Sequence, residues 1–126
     1  MTNPVVWFEI YVEDMARAVA FYEHVFETSL SRMEMPEGVP GAMSSFPGSE
    51  DSPGAASGAL VHMEGMAPGG GGTLVYFQAD DCAVPTARVA AAGGSVVQEK
   101  SSIGHHGFIS LVRDTEGNLI GVHSLR

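Results

Sequence analysis

A strand, a capping aspartate and a helix occupy Trp7 to Phe26, and the same plan recurs from Leu74. Val6, Phe8, Ile10 and Val12 alternate with Trp7, Glu9 and Tyr11, the period of two expected of a strand with two different faces. Asp14 stands at the N-cap, where its carboxylate can accept an orphan N–H of the first turn. Behind it Met15, Ala18, Val19, Tyr22, Val25 and Phe26 recur at helical spacing and form an apolar stripe. Asp81 stands 67 residues after Asp14. At that offset Trp7 falls on Leu74, Phe8 on Val75, Ile10 on Phe77 and Tyr22 on Val89. Few residues are identical, so the repeated apolar pattern carries the duplication.

Each unit continues with three further strands. In the first they are expected at Ser29–Met33, Ala42–Phe46 and Gly58–Glu64, separated by a Gly-, Pro- and Ser-rich loop. In the last, Ala59, Val61 and Met63 alternate with Leu60, His62 and Glu64. Residues 65–72, GMAPGGGG, have almost no side chain to pack and read as a flexible connection. The second helix starts at Asp81, carries Pro85 near its first turn and stops at Gly93-Gly94. A strand at Ser95–Gln98 follows, then a hairpin of HGFISLVRD, the turn DTEGN and LIGVHS. The expected fold is α+β: one domain over 1–126, with module one at about 4–64, the connection at 65–72 and module two at about 73–126. Two βαβββ modules then pair as a cupped, mainly antiparallel sheet with helices outside.

Charge narrows the partners. Six basic residues against fifteen acidic ones leave a net charge of −9, which repels phosphate backbones and anionic lipid. Neither nucleic acid nor membrane is an expected partner. No apolar run is long enough to cross a bilayer, and MTNPVVWFEI has no basic start of a signal peptide. A lone cysteine, Cys82, makes no internal disulfide, so the expected location is cytoplasmic.

Three segments, EIYVEDMARAVAFYEHVF with Asp14 and Phe21-Tyr22, VYFQADD with the AAAGG helix end, and RDTEGNLIGVHS, together resemble the vicinal oxygen chelate superfamily. That group holds glyoxalase I, extradiol dioxygenases and bleomycin- or fosfomycin-resistance proteins. The resemblance implies the paired βαβββ fold, usually in a homodimer. In metal-dependent members it implies a divalent ion held from the first and last strands of each module. Those positions fall here on Trp7, Leu74 and Gly121, none of which binds a metal. No metal cofactor is therefore expected at the usual place.

Alternation lists what faces the cup. Trp7, Glu9 and Tyr11 point inward from the first module; Leu74, Tyr76 and Gln78 do so from the second. Leu60, His62, Leu119, Gly121 and His123 are expected inward as well, with His62 and His123 as mates across the pseudo-symmetry. Gly121 either leaves room for a ligand or marks a bulge. Trp7, Tyr11, Tyr76 and Gln78 then suit a flat or apolar small molecule, with His106 at the rim. Glu9, His62 and His123 have three readings: hydrogen bonding within a polar cavity, general-base chemistry, or a displaced divalent-metal site. The expected function is small-molecule binding in an aromatic cup. The alternative is a lyase, isomerase or dioxygenase built on those three residues. Cys82 reads as packing and His24 as solvent-facing, and the methionines either line an adaptable apolar surface or fill core.

Overall fold

The computed structural model describes residues 7–48, 56–71 and 73–126. Val6, the module start at residue 4 and Gly72 at the end of the connection lie outside them. The first module contains β1 (Trp7–Tyr11), α1 (Met15–Phe26), β2 (Ser31–Met33), β3 (Ala42–Ser45) and β4 (Ser57–His62). The second contains β5 (Val75–Gln78), a short α2 (Ala83–Thr86), β6 (Ser95–Ser102), β7 (Phe108–Arg113) and β8 (Leu119–Ser124), with a 3-10 turn at Gly104–His106. Their sheets have matching orders, β1-β4-β3-β2 and β5-β8-β7-β6. β1/β4 and β5/β8 run parallel, and the other neighbours are antiparallel. A parallel pair cannot close by a tight turn, so each first strand reaches its partner by a crossover that carries the helix.

Asp14 is the N-cap of α1, whereas the cap position of α2 is Cys82 and Asp81 stands one residue before it. Asp14 Oδ1 accepts from Arg17 N at 3.0 Å and Asp81 Oδ1 accepts from Ala83 N at 3.0 Å. The second helix is shorter than its pattern suggests. Beyond Thr86 the chain continues mainly in i−3 turns, such as Arg88 N to Pro85 O and Val89 N to Thr86 O. Thr86 Oγ1 donates to the Cys82 carbonyl and meets Ser110 Oγ, each at 2.6 Å, a side-chain bond that competes with regular helix. Cys82 is fully buried beside it, in keeping with a packing role, and His24 is exposed.

α1 is buried over a wider arc than the stripe predicts, because Phe21 joins Ala18, Tyr22 and Val25 in the core. The reason is that α1 meets both modules. Ile10 and Leu60 of the first sheet and Val112 and Ile120 of the second belong to one buried cluster around it. Tyr22 stacks edge-on to Phe46 and lies 5.7 Å from Phe77, while Phe26 stacks on Phe77 at 4.5 Å. A Cβ on Gly94 would come within 2.6 Å of Phe21. That close approach explains why glycine stands there.

The DTEGN turn locks this arrangement. Tyr22 OH donates to Asp114 Oδ2 at 2.7 Å in the core, while Asp114 Oδ1 accepts from Glu116 N and Asn118 N, each at 2.8 Å. Glu116, its side chain wholly covered, accepts from Glu13 N (3.0 Å), Asp14 N (2.9 Å) and the Arg17 guanidinium (2.8 and 2.9 Å). Asn118 Nδ2 donates to Tyr11 O at 2.8 Å. A turn of module two thus satisfies the first N–H groups ahead of α1 in module one.

The Arg17 hydrogen bonds, with those from Asp14, Thr115 and Glu13, hold the Glu116 carboxyl down from 4.5 to about 2. Because the folded value is depressed, this contribution is complete above pH 4.5 and is lost as pH falls toward 2. Glu116→Gln should cost about 1–3 kcal/mol at pH 7. The gap between wild type and variant should narrow across that acid window in urea unfolding; a constant gap would contradict the assignment.

Candidate binding cleft

β1 and β5 are each the edge strand of their sheet. Between them lies a cleft of about 1070 Å³, bounded by all of β1, by Leu74–Tyr76, by Asn118–Ile120 and by the connection at Ala67 and Gly69–Gly71. Strand alternation puts Trp7, Glu9 and Tyr11 on one face. There Trp7 Nε1 donates to Glu9 Oε2 at 3.1 Å and Tyr11 OH donates to Glu9 Oε1 at 2.8 Å. The carboxylate is braced between two aromatic rings, and its hydrogen bond raises the Tyr11 phenol above its ordinary value. Trp7, Leu74 and Tyr76 remain 40, 37 and 47% exposed, and all three line this cleft. Large apolar side chains gathered in one exposed concavity are a feature of ligand sites.

Tyr76 and Gly121 are register partners across β5/β8, and a Cβ on Gly121 would overlap the Tyr76 ring. The space that glycine opens is therefore filled from within by Tyr76. The β7/β8 ladder runs unbroken through Leu111 and Gly121, so the glycine marks no bulge.

The histidines depart from expectation. β1/β4 register pairs Glu9 with Ala59 and Tyr11 with Val61. Ala59 and Val61 therefore share the face of Glu9 and Tyr11, while Leu60 packs in the core under α1. His62 lies on that alternate side, its Nδ1 donating to Val12 O at 2.9 Å. Leu60 and His62 are thus not inward. His123 is the register partner of Gln78, and neither residue lines the cleft. Gln78 stands 67 residues after Tyr11, so the true counterpart of His123 is Val61, and the His62/His123 pairing is one residue out of register. A one-residue slip flips every side chain to the opposite face. His123 Nε2 donates to the His106 carbonyl at 2.7 Å. His106 itself sits exposed on the 3-10 turn with its ring tilted against His105, and it does not line the cleft.

Glu9, His62 and His123 are therefore not brought together. Among the described residues no three His, Cys, Asp or Glu side chains form a group able to hold a metal ion. The divalent ion that such a fold implies does not fit here. Trp7 and Leu74 offer no donor, the Gly121 position is roofed by Tyr76, and both Glu9 oxygens are engaged. Leu119 lines the cleft, and sequence reasoning missed Asn118 and the glycine connection as its walls. Nothing in GMAPGGGG signals that Gly69 N would donate to Asn118 Oδ1 at 2.7 Å and seat the connection beside the second hairpin.

Gly121→Ala should displace the Tyr76 ring and cost about 1–3 kcal/mol. In a Tyr76→Ala background most of that cost should vanish. Urea unfolding of the four-member cycle measures the coupling, and additive costs would show that the ring does not rest on the glycine.

A sequence model described as the Glyoxalase/Bleomycin resistance protein/Dioxygenase superfamily matches residues 5–122. No functionally curated protein matches the chain. Among solved structures, a hypothetical protein from S. aureus is similar at 18% identity and TM-score 0.67, with 98% of each chain covered. An antibiotic-binding protein, TnmS3, from Streptomyces sp. CB03234 is similar at 23% identity and TM-score 0.65, covering 98% of this chain and 96% of that one. A glyoxalase I mutant from Zea mays is similar at 18% identity and TM-score 0.76. There the match covers 97% of this chain but 46% of the maize chain. At these identities the likeness is one of fold.

Proposed function

Because the chain belongs to the Glyoxalase/Bleomycin resistance protein/Dioxygenase superfamily, we propose that it binds a small molecule in the β1/β5 cleft without the usual metal chelate. The observation that carries this reading is the Glu9 carboxylate braced by Trp7 and Tyr11, opposite Tyr76, in an exposed apolar concavity. Aromatic walls around one fixed negative charge suit a flat ligand bearing a cationic group, through ring stacking, cation–π attraction and charge. The net charge of −9 favours its approach. The fold likeness to an antibiotic-binding protein points the same way.

A homodimer belongs to the same proposal, read from the superfamily, with sedimentation expected at twice the 13.2 kDa chain mass. The enzymatic alternative needs Glu9, His62 and His123 around one substrate, and the β4 register supplies no support for that grouping.

Trp7 is the sole tryptophan and lies in the cleft, so its emission reports occupancy directly. Titration with acridine-type cationic aromatics, alongside neutral and anionic analogues, should quench Trp7 selectively for the cations and be indifferent to EDTA. Glu9→Gln should weaken that binding roughly tenfold, about 1.4 kcal/mol. Binding that ignores ligand charge, or survives Glu9→Gln unchanged, would sink the proposal.

A further inference from the structure

Five of the seven methionines fall between residues 33 and 66, and the fold draws most of them to one place. Met33 and Met43 are direct partners across the β2/β3 ladder, and Met43 pairs in turn with Val61 of β4. Met35, just past β2, and Met63, just past β4, both pack on the cluster of Met43, Ala59 and Val61. The Met35 methyl comes within 3.4 Å of where a Cβ of Gly41 would stand, a position kept open by glycine. Met66 is bridged to Met63. Met43 is 8% exposed, Met35 and Met63 are half-buried and Met33 is 38% exposed, so the group is sheltered yet open on one side. A hollow of about 430 Å³ beside it is lined by Met33, Met35, Gly41 and Ala42, with Arg32 and Glu34 of opposite charge at its margin.

Plain packing needs shape and apolarity, which Leu or Val provides with less flexibility. Thioether sulfur adds a property those residues lack: it is a soft, uncharged donor. It carries no proton to lose and selects copper(I) over ions that prefer nitrogen or oxygen. We propose that Met33, Met35, Met43 and Met63 form a thioether site for a soft monovalent cation, copper(I) or its analogue silver(I). The site lies at the outer end of the first sheet and uses none of the groups assigned to the cleft except a shared border at Tyr11.

The test uses the full chain, with Cys82→Ala as background so that a buried thiol cannot capture the ion. Silver nitrate in chloride-free buffer, and copper(I) under argon against a bicinchoninate competitor, are titrated and followed by native mass spectrometry. Methionine methyl resonances are followed by NMR. The expected result is one ion per chain, shifts confined to the methyls of Met33, Met35, Met43 and Met63, and affinity constant from pH 5 to 8. Zinc should not compete. Met35→Leu/Met63→Leu conserves volume and should keep the thermal midpoint while weakening silver binding at least tenfold. Failure to bind, shifts at other methyls, pH-dependent binding, or unchanged affinity in the Leu pair would each overturn the site. The wild-type methyl spectrum decides the matter even if the variant misfolds.

Discussion

Asp114 is the residue on which both halves of this molecule depend. Its carboxylate organises the DTEGN turn through Glu116 N and Asn118 N, and it also receives the buried Tyr22 hydroxyl from the other module. Burying a carboxylate is costly unless its lone pairs are taken, and here they are taken from both modules at once. With Asp114 in place, Glu116 and Asn118 project from the same turn to α1 and β1. Glu116 collects two backbone N–H groups and Arg17, and Asn118 reaches Tyr11 O. Two modules with little sequence identity therefore meet in one geometry, with α1 packed in a cluster that draws residues from both.

That geometry creates the cleft. Locking module two onto the start of α1 sets edge strands β1 and β5 on two sides of one gap. Trp7 and Tyr11 then meet Glu9 on one wall, and Tyr76 lies over Gly121 on the other. Metal-dependent relatives would need donors at these same places. In this chain the places hold an indole, an aliphatic chain and a glycine already covered by a ring.

Most of the architecture was legible because it depends on local periodicity. Two-residue alternation marked β1 and β8, and helical spacing behind Asp14 marked α1. The turn residues of DTEGN marked the last hairpin, and the 67-residue offset related the halves. Of the residues that alternation grouped as inward on β1 and β5, Trp7, Glu9, Tyr11, Leu74 and Tyr76 line the cleft and Gln78 does not. His62 was misplaced for a reason that alternation cannot supply. The pattern of β4 is apolar on both faces, Leu60 against Ala59 and Val61, so hydrophobicity does not say which face the sheet turns to the cup. Only the parallel register against β1 decides it.

The sequence by itself determined the order of elements, the duplication, the Asp14 cap and the absence of metal-binding side chains at Trp7, Leu74 and Gly121, since each is a property of residue type and spacing. The tertiary structure alone decided that Tyr76 fills the space over Gly121, that His62 lies on the face opposite Glu9 and Tyr11, and that Met35 and Met63 pack on Met43. Those outcomes depend on strand register and on contacts between residues distant in the chain. Local propensity is nearly silent there, because a shift of one residue reverses a strand's faces without altering its composition.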